Sequence, residues 1–143
     1  MSETKLLPVI EVAGGVMVRD DQFLIAQRKA NDRFGLLWEF PGGKREPGET
    51  FEECLRRELI EELGVEVVVG PKLTTVIHHY EQRTLHLHIY FCRLVSGEPR
   101  PIECESVRWV TLETMLTHPF PPANRRVLEA LVEHVQLHGP PSF

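Results

Sequence analysis

Cysteine is scarce in this sequence, and the few cysteines present are not spaced as a known motif. The 143 residues include three, Cys54, Cys92 and Cys104, with no C-x-x-C pair among them. An odd number without that spacing indicates neither a disulfide framework nor a zinc ribbon. We therefore expect reduced thiols and a cytoplasmic location.

Long apolar runs and an excess of positive charge are also missing. No apolar stretch approaches the roughly 20 residues that a transmembrane helix needs. The N-terminal segment MSETKLLPVIEV has no basic region followed by an apolar run, so it predicts no signal peptide and no membrane partner. The net charge of −5 argues against a polymeric nucleic acid as partner. A small phosphorylated ligand stays possible where a metal ion offsets its charge.

What is present is an ordinary globular composition, with 42% apolar and 26% charged residues. The length predicts a single domain over residues 1–143, with a core from about residue 8 to residue 137. There is no repeat and no low-complexity tract. Monomer and homodimer are both compatible with these features.

Strands are predicted wherever β-branched and apolar residues alternate. VIEVAGGVMVRDDQFLIAQRKA predicts two strands joined by a tight turn, and TLHLHIYFCRLV and VRWVTL predict one strand each. VEVVVG and LTTVIHHY predict one interrupted strand or two short ones. Residues 31–45, which contain Pro41, Gly42 and Gly43, are predicted as a loop.

Two substantial helices accompany these strands. Thr50 and Glu53 form a capping box that predicts a helix start, and Gly64 is suited to end that helix. A second helix is predicted over residues 125–137 and a helical turn over residues 112–116. Strands mixed with helices in this order predict an α/β fold, in which helices sandwich a mixed β-sheet.

The first helix carries an unusual number of carboxylates. At about 100° per residue, Glu58 and Glu62 project within about 40° of each other and Glu61 flanks them, so the three border the packing face. Like charges at this spacing destabilise a helix, and a hard divalent cation such as Mg²⁺ or Mn²⁺ removes that penalty. The alternative is a solvated acidic face with ion pairs such as Arg57 with Glu61.

The surrounding spacing matches a family signature. Gly43, Glu49 and the run RELIEELGV from Arg57 to Val65 fill every fixed position of G-x5-E-x7-R-E-U-x-E-E-x-G-U, in which U is aliphatic. The stretch resembles the Nudix box. The resemblance implies a Nudix hydrolase with an α/β/α sandwich, which uses Mg²⁺ or Mn²⁺ to cleave a nucleoside diphosphate linked to a further group.

The resemblance also implies roles for individual residues. The implied metal ligands are carboxylates and one backbone carbonyl, from Glu58, Glu61, Glu62, Glu103 and Gly43. Glu105 competes with Glu103 for its place, and either could be a plain surface acid. The implied catalytic group comprises Arg57, Glu58, Glu61 and Glu103, with Arg57 orienting a glutamate and the general base left open. Glu49, which could bridge to Arg57, and Gly64 are implied to be structural.

The likeness extends beyond the box. LWEFPGGK and FPPANRRVLEAL resemble the MutT branch of the family, which hydrolyses 8-oxo-dGTP to the monophosphate and pyrophosphate. Asn124 matches the position that reads the oxidised base in that branch. Its amide can donate to O6 of 8-oxoguanine and accept from N7–H, whereas normal guanine presents two acceptors there. A flipped amide could read adenine instead, and Asn124 could simply cap the last helix.

Other features leave the nucleoside triphosphate substrate open. By resemblance, Phe40 lines the base pocket and Arg28 and Arg83 lie near the nucleotide, although each could be a packing or surface residue. The segment HLHIY, which contains His86 and His88, is more similar to relatives that prefer cytidine nucleotides, including 5-methyl- and 5-hydroxy-dCTP. Those relatives tend to have aspartate at the position of Asn124, which favours the oxidised purine.

Two further alternatives concern the histidines and the function class. His86 and His88 share a strand face and could mimic a metal pair, although strand histidines more often pack or line a polar face. The domain could also be a non-catalytic Nudix-fold binding module. Such modules typically lose box carboxylates, and all of them are present in this sequence.

Overall fold

The protein is described by a computed structural model that covers residues 7–142. The predicted absence of a signal peptide concerns the N-terminal segment, of which residues 1–6 lie outside the described residues. Within the described part of the chain, no helix has the length and apolar character required to cross a bilayer.

The described chain contains seven strands and three helices. The strands are β1 (Val9–Arg19), β2 (Gln22–Gln27), β3 (Trp38–Glu39), β4 (Gly42–Lys44), β5 (Glu66–His79), β6 (Thr84–Ser96) and β7 (Ser106–Val110). The helices are α1 (Phe51–Leu63), α2 (Leu112–Met115) and α3 (Pro122–His138).

All seven strands belong to one mixed sheet. Its main path runs β3-β2-β1-β6-β5, while β4 also pairs with β1 and β7 with β2. The central β1 and β6 are parallel, and the other pairs are antiparallel. The β1–β2 connection is a two-residue turn in which Asp20 has a φ of 57°, a conformation that aspartate tolerates better than most residues.

Alternating side chains divide the core between the two faces of the sheet. On one face, Met17 and Leu24 pack with Leu55 and Leu59 of α1. On the other face, Val16 and Ile25 belong to a second core with residues of α3, among them Val127, Leu128 and Leu131. The predicted mixed sheet sandwiched by helices is therefore confirmed.

Some element boundaries differ from the sequence prediction. The predicted loop contains β3 and β4, which are too short to show a period-two pattern. Helix α3 begins at Pro122 instead of Arg125, because proline is tolerated in the first helical turn. Of the two alternatives for residues 65–80, one interrupted strand is confirmed, because β5 is a single strand with register shifts around Lys72.

Candidate active site

Helix α1 is fixed at both ends by the residues that predicted it. Thr50 accepts a hydrogen bond from the Glu53 backbone N–H, and Glu53 in return accepts one from the Thr50 N–H. Gly64 ends the helix in the left-handed conformation, with φ of 70°, and donates its N–H to the Ile60 carbonyl. These caps set the position of every carboxylate along the helix.

The three carboxylates of α1 that are predicted to bind metal differ sharply in solvent exposure. Glu62 is only 7% exposed, Glu58 is half-buried, and Glu61 is exposed. Burial, reinforced by the negative charge of Glu39, raises the pKa of Glu62 to about 8. Burial also raises the pKa of Glu58, against the opposing effect of Arg57. The acidic face is therefore more than a solvated surface, because two of its members lie at the edge of the core.

Arg57 connects the helix to the preceding loop. Its Nε and Nη2 donate to the two carboxylate oxygens of Glu49 at 2.7 and 2.9 Å. Its Nη1 lies 2.9 Å from Glu58 and 3.3 Å from Glu61, and its Nη2 also donates to the Lys44 carbonyl. The Arg57–Glu61 pair of the alternative interpretation exists, but it is one contact in a network that joins Arg57 to three carboxylates.

Gly43 leaves the space that the Glu58 carboxylate occupies. A Cβ atom built on Gly43 would overlap this carboxylate, so no larger residue fits without displacing it. One residue earlier, a Cβ on Gly42 would collide with the backbone of β1 at Ala13. The Cys54 thiol donates a hydrogen bond to the Gly43 carbonyl at 3.5 Å.

Glu103 lies closer to the cluster than its competitor. The backbone N–H of Glu103 donates to the Glu62 carbonyl, and the charge of Glu103 contributes to the raised pKa of both Glu58 and Glu62. The Glu105 N–H instead binds the Gln27 carbonyl, away from α1. The geometry thus brings Glu103, and not Glu105, to the helix carboxylates.

This donor set fits a hard divalent cation. The available ligands are carboxylate oxygens and one carbonyl, the chemistry that Mg²⁺ and Mn²⁺ favour. The charged groups that act most strongly on buried Glu62 are other carboxylates. A bound cation would therefore reduce the free-energy cost of burying and ionising Glu62. Among residues 7–142, these acids do not place three ligand atoms within 4.8 Å of one another. Glu58 and Glu61 form ion pairs with Arg57 instead.

A cavity of about 260 Å³ begins at Gly43 and continues to the start of α3. Its floor is the β1–β6 pair, and its far wall includes Asn124. Arg28, Glu39, Phe40 and Arg83 also line it. The residues predicted to bind substrate therefore line one space, which begins at Gly43, where the Glu58 carboxylate of α1 lies close by.

Asn124 has a defined orientation. Its Oδ1 accepts a hydrogen bond from the Phe40 backbone N–H at 3.2 Å, which requires oxygen, not nitrogen, at that position. The amide NH2 is thereby left as the group that can donate to a ligand. The alternative in which Asn124 caps the helix is wrong, because Pro121 occupies that position and Asn124 lies within the first turn.

The two predicted arginines have different surroundings. Arg28 forms a 2.6 Å ion pair with Glu39 and donates its Nε to the Arg33 carbonyl, so much of its hydrogen-bonding capacity is used. Nε of Arg83 is buried and has no hydrogen-bond partner among residues 7–142. A donor of this kind in a cavity wall is costly unless a ligand accepts from it.

Phe40 is buried and contributes to the pocket chiefly through packing and its backbone. It is 4% exposed and its ring lies 5.8 Å from that of Phe120. The sequence alone does not identify Glu39, directly before it, as a site residue, although Glu39 lines the cavity and burial raises its pKa. Its position in the motif LWEFPGGK was the available signal, but only the fold shows that it faces both the cavity and Glu62.

Known proteins resemble this chain along most of its length. Residues 12–130 match the model of the NUDIX domain family. The chain is 36% identical over 126 residues to the CTP pyrophosphohydrolase of Escherichia coli K12, covering 88% of this chain and 93% of that protein. It is 31% identical to the 8-oxo-dGTP diphosphatase of Haemophilus influenzae, covering 87% and 92%.

A solved structure shows the same architecture. The MutT NUDIX hydrolase from Burkholderia pseudomallei superposes with a TM-score of 0.78 at 30% identity, covering 86% of this chain and 98% of that one. The predicted sandwich is thus a Nudix fold. Sequence, fold and relatives agree that this chain belongs to the Nudix family and is a MutT-like Nudix hydrolase.

Proposed function

We propose that the protein is a nucleoside triphosphate pyrophosphohydrolase that converts 8-oxo-dGTP to 8-oxo-dGMP and pyrophosphate, and so serves nucleotide-pool sanitation in the cytoplasm. The observation that carries the proposal is the cavity that runs from Gly43, against which the Glu58 carboxylate lies, to Asn124. In this proposal the phosphates lie at the Gly43 end and the base lies at the Asn124 end.

At the phosphate end, Glu58, Glu61, Glu62, Glu103 and the Gly43 carbonyl would hold Mg²⁺ or Mn²⁺. When bound, such a cation offsets the phosphate charge and lowers the pKa of water. Arg57 keeps Glu58 and Glu61 in position, and Glu49 fixes Arg57 through two contacts. We assign proton removal from the attacking water to Glu58, because its carboxylate lies directly against Gly43 at the end of the cavity.

At the base end, the amide orientation supports recognition of an oxidised purine. The Asn124 NH2 can donate to O6, while the second lone pair of Oδ1 can accept from N7–H of 8-oxoguanine. Unmodified guanine has an N7 acceptor, which would face that same oxygen. A buried mismatch of this kind costs about 1–3 kcal/mol. Arg83, whose Nε has no hydrogen-bond partner among the described residues, lines the same cavity.

A cytidine nucleotide is the second candidate. The similarity to a CTP pyrophosphohydrolase favours it, and so does Glu39, because a carboxylate in the cavity wall can accept from the N4 amine of cytosine. The Asn124 NH2 could then donate to a ring acceptor of the pyrimidine. Both candidates use the same phosphate end and differ only in the base.

A substrate panel separates the two. We expect pyrophosphate release with Mg²⁺, and the highest kcat/KM for 8-oxo-dGTP among 8-oxo-dGTP, dGTP, CTP and 5-methyl-dCTP. A higher kcat/KM for CTP or 5-methyl-dCTP would transfer the assignment to the pyrimidine branch. No turnover of any triphosphate would reject both candidates.

A further inference from the structure

A second cluster of metal-type side chains lies outside the acidic helix. The ligating atoms of Glu11, His86 and His88 lie within 4.8 Å of one another. Nδ1 of His86 is 3.2 Å from Oε1 of Glu11, and Nε2 of His88 is 2.7 Å from Oε2. These three residues do not line the cavity between Gly43 and Asn124. They are also separate from the Nudix cluster, which comprises Glu58, Glu61, Glu62 and Glu103.

The three side chains are placed by the most regular part of the sheet. Glu11 on β1 is directly opposite His86 on β6 in the parallel pairing, and His88 follows two residues later on the same face. The ring of Phe51 from α1 stacks on His88 at 3.8 Å. Ligands on paired central strands keep their spacing without help from a bound ion.

We propose that Glu11, His86 and His88 form a second metal site, selective for Zn²⁺ or a similar borderline transition metal over Mg²⁺. Two imidazoles and one carboxylate are a common zinc donor set, with water as the fourth ligand. Mg²⁺ instead demands oxygen ligands, as the Nudix cluster provides. The histidine-containing site would therefore bind Zn²⁺, and the all-oxygen Nudix cluster would bind Mg²⁺. This inference does not depend on the proposed substrate.

The distances suit an ion in the place of two hydrogens. Each imidazole now meets one Glu11 oxygen through a hydrogen bond, and ligand atoms around tetrahedral zinc lie about 3.3 Å apart for bonds near 2.0 Å. The His86 contact, to Oε1 of Glu11, already has that spacing, and the His88 contact, to Oε2, must open by about half an ångström. Glu11 would bind the ion through both oxygens or turn to present one of them. All three side chains are partly exposed, between 15% and 29%, so an ion can reach them from solvent.

Lys72 is the group that competes with the ion. Its Nζ lies 3.0 Å from Nδ1 of His88, so that nitrogen accepts and Nε2 carries the hydrogen. A metal at Nε2 requires the proton on Nδ1 instead, which requires the Lys72 ammonium to withdraw. Lys72 is exposed on β5 and can turn to solvent. Its removal should therefore tighten metal binding, an effect that a purely structural hydrogen-bond network would not produce.

Calorimetric titration with Zn²⁺ in saturating Mg²⁺ tests the site. We expect one Zn²⁺ per chain, lost in Glu11→Gln and in His88→Gln and bound about tenfold more tightly in Lys72→Met. Glu61→Gln, which alters the Nudix cluster, should keep this zinc site. Substitution with Co²⁺ should give a tetrahedral visible spectrum that disappears with the same two variants.

The controls concern folding and activity. Thermal unfolding in EDTA establishes that each variant folds, and His86→Gln replaces any variant that does not. Mg²⁺-dependent hydrolysis should survive in Glu11→Gln and His88→Gln. No zinc uptake by the unmodified chain, unchanged uptake in the ligand variants, or uptake that vanishes with Glu61→Gln would each overturn the proposal.

Discussion

At the scale of single residues, Asn124 shows how one backbone contact decides what a side chain can read. Because its oxygen accepts from the Phe40 N–H, its amino group is the part offered to the cavity. The sequence left the amide orientation open, since the partner lies 84 positions away. In this orientation the Asn124 NH2 can bind only those groups of a base that accept a hydrogen bond.

Substitutions at Asn124 should therefore change base preference in a predictable direction. Asn124→Ala should reduce discrimination between 8-oxo-dGTP and dGTP by about 1–3 kcal/mol, measured as the ratio of kcat/KM values. Asn124→Asp is the matched variant, because it keeps the acceptor for Phe40 but replaces the donor with an acceptor. It should raise the relative kcat/KM of cytidine nucleotides, whose N4 amine donates. Equal losses on 8-oxo-dGTP and dGTP in the alanine variant would contradict the assignment.

Glu62 should destabilise the metal-free protein at high pH. Its pKa of about 8 means that the folded state holds this proton more tightly than the unfolded chain, in which the group ionises near 4.5. Stability should fall as pH rises from about 4.5 to about 8 and then level off. Glu62→Gln, which cannot ionise, should be more stable than the unmodified protein in EDTA at pH 9, by on the order of a few kcal/mol.

Denaturant unfolding at several pH values measures this difference. The two proteins should have similar stability near pH 4, where both side chains are neutral. Glu61→Gln is the control, because this exposed carboxylate carries little burial penalty. A Glu62→Gln variant that is less stable than the unmodified protein at pH 9 would show that Glu62 is already compensated without metal.

At the scale of elements, the unit that matters is the β4–α1 connection. Its helix could be predicted at both ends from the capping box and Gly64, because those signals are local. Strands β3 and β4 could not, because two or three residues show no periodicity. The sequence signature also marked the helix glutamates, whereas Glu39 and Glu11 become notable only once the sheet brings them beside Glu62 and His86.

Arg57 should be irreplaceable by lysine. A lysine ammonium cannot make the two parallel contacts with Glu49 while also holding Glu58 and Glu61. Arg57→Lys should lower kcat by about tenfold or more, as expected when a group that orients metal ligands is lost. Arg56→Lys, on the exposed side of the same helix, should keep kcat near that of the unmodified enzyme. Equal kcat in both variants would refute the orienting role.

At the scale of the whole molecule, α1 carries both core residues and the glutamates predicted to bind metal. Ion binding should therefore raise the free energy of unfolding of the whole domain. Mg²⁺ at ten times its Kd should add about 1.4 kcal/mol, which corresponds to a rise of about 5 °C in Tm for a protein of this size. Scanning calorimetry with and without EDTA measures it, and Glu62→Gln should abolish the shift. A Tm that does not respond to Mg²⁺ would contradict the fit of the donor set.

The parallel pairing of β1 with β6 also governs how the chain can fold during synthesis. Strand β1 ends at Arg19 and its central partner begins only at Thr84, so the middle of the sheet cannot close until most of the polypeptide has left the ribosome. Until then α1 has no completed sheet to cover its apolar face. The apolar face of α1, complete at Leu63, therefore stays only partly covered until β6 has been synthesised as far as Ser96, and during that interval it is open to aggregation.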